Sequence, residues 1–79
     1  MTHKLKTHHP YFQMVKRQQK TFEVRKADRD FKVGDNLLLQ EYLPEVEKYT
    51  GEEWLVEVTY ILHGGQFGIE EGYCVMSIK

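Results

Sequence analysis

Residues 53–62, EWLVEVTYIL, give the strongest structural signal in this chain. They are rich in β-branched and aromatic residues that alternate with a period of two, which is typical of a β-strand. One predicted face of this strand carries five apolar side chains: Trp54, Val56, Val58, Tyr60 and Leu62. The other face carries the residues between them: Leu55, Glu57, Thr59 and Ile61. The segment is therefore predicted to be the best-defined strand of a β-rich fold.

Four more segments have strand-like patterns, and one has the pattern of a helix. The other strands are predicted at residues 2–8, 20–26, 36–43 and 73–79. A helix is predicted to begin at Pro10, where the missing N–H costs nothing, and to run to about residue 19 with one apolar stripe. The segment PEVEKYTGEE (44–53) is predicted to be an acidic loop.

These elements predict the fold class α+β. A five-stranded sheet of this size leaves two edges exposed unless it curls, and a barrel removes both edges. We expect a small, mostly antiparallel β-barrel with a short helix from the N-terminal half packed against it. Residues 1–79 are predicted to form a single domain. A chain of this length is near the lower limit at which one hydrophobic core is sufficient.

The cysteine and histidine pattern limits how the fold is stabilised. The single cysteine, Cys74, cannot form an internal disulfide, so stability must come from the core or from an oligomer. The histidines lack zinc-site spacing, and no metal ion or cofactor is predicted. The N-terminus is polar and basic, unlike a signal peptide, and no apolar run reaches membrane-spanning length. These features predict a cytoplasmic protein.

The charges are divided unequally along the chain, although the net charge is only −1. Residues 1–32 hold nine Lys/Arg against three Asp/Glu, and residues 33–79 hold two against nine. Such asymmetry is typical of proteins that contact nucleic acid or another polyanion. The two halves can equally well attract one another across the fold. The charge distribution alone leaves both interpretations open.

The segment KTFEVRK (20–26) contains the main site candidates, Lys20, Glu23 and Arg25. Glu23 and Arg25 project from the same face of a strand, where the carboxylate can orient the guanidinium toward a phosphate or a base edge. Lys20 would add a mobile positive charge. The alternative is a solvated strand face with an ion pair that contributes about 0–1 kcal/mol. Spacing alone favours this alternative.

Most aromatic residues stand at positions that the pattern assigns to the core rather than to a stacking surface: Tyr11, Phe12, Phe22, Phe31, Trp54 and Tyr60. His3 either lines a cleft beside Lys6 or lies on the surface, and the pattern favours the surface. The potential nucleophiles of the chain stand in no recognisable arrangement with a base.

Five blocks of the chain together resemble a known family, in their order and spacing. They are HKLK (3–6), KTFEVRK (20–26), DRDFKVGD (28–35), YTG (49–51) and YILHGGQFGIEEGY (60–73). The blocks resemble those of small bacterial and phage-associated domains of unknown function, the DUF3850 type, grouped with the ASCH domains of the PUA-like superfamily. The ASCH hallmark is G-x-K-x-x-E-x-R. Lys20, Glu23 and Arg25 match its last three fixed positions, and Gln18 replaces the glycine that supplies a left-handed turn after the helix.

The resemblance implies a small β-barrel with a cleft beside the helix, proposed across the superfamily to bind RNA. It places Lys20, Glu23 and Arg25 in the cleft. The matching blocks nearby contain His3, Lys6 and Arg29. The implied ligand is single-stranded RNA or a nucleotide-like molecule, contacted through phosphates and base edges. An RNA-binding module is the first function predicted for this chain.

Two rival functions follow from the same sequence. Some ASCH-like proteins are amidohydrolases of N-acylated cytosine nucleosides and resemble K-T-x-T-x-R at this strand, with the lysine as base and the second threonine as nucleophile. This chain keeps Lys20 but has Glu23 at the nucleophile position, and a carboxylate cannot form the same acyl intermediate. Ribonuclease activity in the superfamily leaves Lys20 and Glu23 as catalytic candidates. The third prediction is a protein-interaction module whose acidic second half binds a basic partner.

Overall fold

Five strands and one short helix make up the fold in the computed structural model, which describes residues 1–79. In chain order they are β1 (Thr2–His8), α1 (His9–Lys16), β2 (Phe22–Lys26), β3 (Asn36–Leu43), β4 (Lys48–His63) and β5 (Tyr73–Ile78). The helix ends earlier than predicted. Strand β4 begins earlier, so the second part of the segment predicted to be an acidic loop is strand. No helix is long and apolar enough to cross a membrane.

The strands form one mixed sheet in the order β1-β3-β4-β5-β2. Strand β1 is parallel to β3, and the other three neighbouring pairs are antiparallel. Strand β4 is long enough to pair with β3 through residues 48–57 and with β5 through residues 58–63. Strands β1 and β2 are therefore the two edges of the sheet.

The sheet does not close, so the prediction of a β-barrel was wrong, although α+β describes the fold in broad terms. Side chains, rather than a backbone ladder, connect β1 to the segment that contains β2. Arg25 Nη2 donates to Thr7 Oγ1 at 3.2 Å, and Arg29 Nη1 donates to the carbonyl oxygen of Lys4 at 3.1 Å. No backbone ladder pairs the two strands.

The core lies between the inner face of the sheet and α1. Its members are Leu5, Phe12, Val15, Phe31, Leu37, Leu39, Val56, Val58, Cys74, Met76 and Ile78. Of the six aromatic residues predicted for the core, only Phe12 and Phe31 are buried. Tyr60 is exposed because a register shift between Val58 and Tyr60 interrupts the alternation of β4. The prediction that Tyr60 shares a buried face with Val58 was therefore wrong.

Candidate functional site

A cleft of about 310 Å³ opens between the two edges of the sheet, beside the start of α1. Its lining residues belong to β1, α1 and β2, except Lys20, which stands two residues before β2. They are Lys6, Thr7, His8, Tyr11, Lys20, Glu23, Val24 and Arg25. Four of the six residues predicted for the site, Lys6, Lys20, Glu23 and Arg25, therefore lie around one cleft.

The end of α1 fixes the backbone of Lys20. The Gln19 N–H donates to the carbonyl oxygen of Met14 at 2.8 Å, and the Gln18 N–H donates to that of Val15 at 3.0 Å. These bonds form a Schellman motif, in which Gln18 has the left-handed φ of 62°. A glutamine therefore occupies a left-handed position that favours glycine. The Lys20 N–H also donates to Met14, at 3.1 Å, so the turn holds Lys20 directly against the helix end.

Strand β2 turns its charged face inward. Glu23 is only 4% exposed, whereas Phe22 and Val24 on the other face are 45% and 51% exposed. The interpretation of Glu23 as part of a solvated strand face was therefore wrong. A buried carboxylate is costly unless cations and hydrogen bonds compensate it, so its partners have to be close.

Two cations and a hydroxyl complete the cluster around Glu23. Lys20 Nζ donates to Glu23 Oε2 at 2.6 Å, and Arg25 Nη2 donates to Glu23 Oε1 at 3.1 Å. The Lys20 side chain also donates to the carbonyl oxygen of Phe22 at 2.7 Å. Arg25 reaches across to Thr7 on β1. Every buried side-chain polar atom of the protein has a hydrogen-bond partner, so no buried polar atom of this cluster is left unpaired.

The cleft has an excess of positive charge. Lys6, Lys20 and Arg25 line it together with a single carboxylate, Glu23, which pairs with Lys20 and Arg25. Lys6 makes no salt bridge, and its Nζ lies 4.3 Å from the centre of the Tyr42 ring. A fixed excess of positive charge in a concave site attracts anions such as phosphate. The arrangement can therefore hold a phosphate while Glu23 keeps Arg25 in place.

The structure places His3 and Arg29 outside this cleft. His3 is 5% exposed, with Nε2 2.8 Å from Asp35 Oδ2 and its ring packed edge-on against Phe31. The hydrogen bond with His3 is the largest of the effects that lower the pKa of Asp35 to about 2. Arg29 lies along β1 and lines a separate pocket with His3 and Asp35.

The chain matches a known protein family over almost its whole length. The profile of a family described as "Domain of unknown function (DUF3850)" matches residues 2–78. This chain belongs to the DUF3850 family. It is also 37% identical over 57 residues to the "Uncharacterized 12.9 kDa protein in GpA 3'region" of Escherichia phage P2. The matched segment is 72% of this chain and 50% of the phage protein, so the chain spans about half the length of that relative.

Sequence reasoning missed four residues that line the cleft of this DUF3850 chain: Thr7, His8, Tyr11 and Val24. The alternation of β1 around Leu5 contained a signal for Thr7, because a strand that turns Leu5 inward also turns Thr7 inward. Tyr11 was assigned to the core, yet it is 53% exposed at the rim of the cleft. Nothing in the local pattern indicates that β1 approaches β2.

Another buried carboxylate, Glu41, holds α1, which carries Tyr11, against the sheet. Glu41 accepts hydrogen bonds from His9 Nδ1 at 2.7 Å, Gln13 Nε2 at 2.8 Å and Thr50 Oγ1 at 2.7 Å. Burial alone raises the pKa of Glu41, but these hydrogen bonds outweigh it and lower the pKa below its ordinary value. The helix wall of the cleft is therefore fixed to β3 and β4.

The acidic groups, histidines and cysteine of the DUF3850 chain are not arranged as a metal or thiol site. No group of three or more His, Cys, Asp or Glu side chains is arranged to hold a metal ion. Cys74 is buried in the core, and burial raises the pKa of its thiol. A buried thiol with a raised pKa is a poor nucleophile.

Proposed function

We propose that the cleft of this DUF3850 chain binds single-stranded nucleic acid, with RNA as the expected ligand. The observation that supports this most strongly is that three cations, Lys6, Lys20 and Arg25, line a cleft that contains a single carboxylate, Glu23. The volume of about 310 Å³ is at the small end of ligand sites and suits one nucleotide of an extended strand.

Arg25 is the residue best prepared for recognition. Its hydrogen bonds within the protein all use Nη2, which contacts Glu23 and Thr7. The Nε and Nη1 donors remain available, and the side chain is 24% exposed. A guanidinium that is held by a carboxylate loses less entropy when it binds a phosphate or a base edge in a bidentate manner.

The rim of the cleft supplies the remaining contacts. Lys6 has its ammonium group free of carboxylates and can neutralise a second phosphate. Tyr11 and His8 are both exposed at the rim, where aromatic rings can stack on an unpaired base. Unpaired bases are the parts of RNA that proteins read in sequence-specific binding, which favours a single strand over a duplex.

The family resemblance supports the same ligand. Lys20, Glu23 and Arg25 stand at three fixed positions of the ASCH hallmark, and the left-handed turn that precedes them is kept at Gln18. As part of this proposal we group the chain with the ASCH domains of the PUA-like superfamily, for which RNA binding is the proposed role. The open sheet is the main departure from the barrel that this grouping implies.

Fluorescence anisotropy at low salt, with a labelled single-stranded RNA of about eight nucleotides, tests the proposal. Lys6→Glu should weaken binding about tenfold or more. Lys6→Ala should reduce the salt slope, the slope of the logarithm of the binding constant against the logarithm of salt concentration, by about 0.7 in magnitude. Lys6 is exposed and outside any ion pair, so these variants should fold. Arg25→Gln should also weaken binding, whereas Arg17→Glu, at an exposed arginine beyond the cleft, serves as the matched control.

Two outcomes would overturn the proposal. One is an absence of RNA binding by the unmodified protein at low salt. The other is equal affinity in the Lys6→Glu, Arg25→Gln and Arg17→Glu variants, which would show that binding does not use this cleft.

Hydrolysis is the second candidate function, and the observation that favours it is the 2.6 Å contact between Lys20 and Glu23, which can act as an acid–base pair. Both carboxylate oxygens of Glu23 already accept hydrogen bonds from cations. One of these contacts would have to break before Glu23 could accept a proton or act as a nucleophile. We therefore rank catalysis below binding. Incubation with N-acylated cytidines and with labelled RNA separates the two, and hydrolysis that is lost in Lys20→Ala would reverse this order.

A further inference from the structure

A row of aromatic side chains crosses the outer face of the sheet beside the cleft. His8 on β1 is in register with Tyr42 on β3, and Tyr42 is in register with Tyr49 on β4. The rings of His8 and Tyr42 lie 6.1 Å apart with an interplanar angle of 29°, and those of Tyr42 and Tyr49 meet edge to face at 5.0 Å. We call His8, Tyr42 and Tyr49 the aromatic row.

The aromatic row is continuous with the cleft. His8 belongs to both, and Lys6 lines the cleft while its ammonium group lies over the Tyr42 ring. Lys4 and Lys6 share the outer face of β1 with His8, and all three are exposed. A nucleic-acid strand that leaves the cleft over β1 therefore passes the lysines first and the aromatic rings next.

The charges on this face orient a ligand across it. The row next to the aromatic row contains Lys6, Gln40 and Glu53, in register across β1, β3 and β4. Gln40 Nε2 donates to Glu53 Oε2 at 2.9 Å, so the β4 side of that row ends in a carboxylate. Phosphates are favoured on the β1 side, beside the lysines, and uncharged bases are favoured over β3 and β4.

Cross-strand aromatic pairs also stabilise sheets without binding anything. That role does not require an accessible ring, yet Tyr49 remains 53% exposed at the end of the aromatic row. An exposed tyrosine on a face that also carries lysines is an arrangement used for stacking single-stranded bases.

We infer that the aromatic row is a second base-stacking subsite, which takes an unpaired base next to the nucleotide held in the cleft. The inference rests on the proposed function, because the nucleic-acid strand has to reach this subsite from the cleft. Its ligand is single-stranded nucleic acid whose backbone follows Lys4 and Lys6 and whose base stacks on the exposed face of Tyr49. Stacking needs no 2′-hydroxyl, so this subsite accepts RNA and DNA alike.

The test compares Tyr49→Ser with Tyr60→Ser by fluorescence anisotropy, using labelled single-stranded RNA of about eight nucleotides and a DNA of the same length. Tyr60 is the matched control, since it is a 61% exposed tyrosine on the other half of β4. Tyr49→Ser should weaken the binding of both RNA and DNA about tenfold without changing the salt slope, because it removes a base-stacking contact and no phosphate contact. Tyr49→Phe should restore affinity to within about twofold, since the ring face is retained.

The outcomes separate this inference from the proposed function. If Lys6→Glu weakens binding but Tyr49→Ser behaves like Tyr60→Ser, the cleft binds nucleic acid and the second subsite is refuted. A change in salt slope in Tyr49→Ser, or a failure of Tyr49→Phe to restore affinity, would also refute it. If the unmodified protein binds neither RNA nor DNA, both proposals fail.

Discussion

The Arg25 guanidinium on β2 donates a hydrogen bond to the Thr7 hydroxyl on β1 at 3.2 Å, although these strands are the opposite edges of the sheet. Thr7 is 3% exposed and donates its own proton to the carbonyl oxygen of Leu5 at 3.2 Å. A chain of side-chain hydrogen bonds therefore joins the edges at the place where a barrel would have a backbone ladder. The same contact fixes the width of the cleft.

We expect Thr7→Val to destabilise the fold by about 1 kcal/mol, because it keeps the shape of the side chain but removes one acceptor and one donor from a buried position. Urea unfolding of the variant against the unmodified protein measures this difference in free energy. Thr2→Val, at an exposed position of the same strand, is the control and should change stability by less than about 0.5 kcal/mol. Equal effects of the two substitutions would show that the bridge to Arg25 contributes nothing.

Glu23→Gln should be more destabilising than Thr7→Val. It leaves two cations, Lys20 and Arg25, close together without their carboxylate. Their side chains are 16% and 24% exposed, so water compensates part of the loss, and we expect about 2 kcal/mol, below the range for a fully buried pair.

An added anion should reverse part of this loss. Sulfate or phosphate can replace the missing negative charge, so the melting temperature of Glu23→Gln should rise more with sulfate than that of the unmodified protein. Glu53→Gln, at an exposed carboxylate, is the control and should lack this extra response. An identical sulfate response in all three proteins would contradict the picture of Glu23 as the counter-ion of the cleft.

The sequence could predict two faces for β2 but not which of them is buried. Alternation separates Glu23 and Arg25 from Phe22 and Val24, and average preferences place the apolar pair inside. The opposite holds because the charged face of this edge strand turns toward β1, where Lys20 and Arg25 compensate the buried carboxylate. Only the family resemblance, and not periodicity, pointed to that face.

The cleft could not be predicted from the sequence for a different reason. The strands at 2–8 and 36–43 could be predicted to the residue, because their patterns are local. The approach of Thr7 to Arg25 depends on how the intervening sheet curls. Irregularities such as the one between Val58 and Tyr60 in β4 bend a strand locally. A single register shift changes which side chains face inward, and alternation alone contains no signal for it.

Acid unfolding should depend on Asp35. Its pKa is lowered from 3.8 to about 2, most strongly by the hydrogen bond with His3 and also by the Lys32 N–H and the charge of the Met1 amino group. A pKa that is lower in the folded state stabilises the protein above the unfolded value, and this stabilisation is lost as the pH falls through the folded value. The stability that Asp35 contributes should therefore be constant above about pH 4 and disappear toward about pH 2.

Urea unfolding of Asp35→Asn across this pH range measures the effect. The difference in unfolding free energy between the unmodified protein and the variant should shrink as the pH falls below about 4. Asp30→Asn, at a carboxylate that is 85% exposed, should give a small difference at every pH. A difference for Asp35→Asn that does not change with pH would mean that its carboxylate is not held by His3 in the folded protein.

Gln18→Gly should stabilise the fold. Gln18 has a φ of 62°, a left-handed conformation that costs a residue with a Cβ about 1–2 kcal/mol, and glycine adopts it freely. Glycine also makes the unfolded chain more flexible, which offsets about half of this gain, so a net increase of about 0.5–1 kcal/mol in unfolding free energy is expected. Gln19→Gly is the matched control, because Gln19 lies outside the left-handed region and should lose stability with glycine. Denaturant unfolding of the two variants decides the point: a loss of stability in both would show that the turn before Lys20 does not require the left-handed conformation in solution.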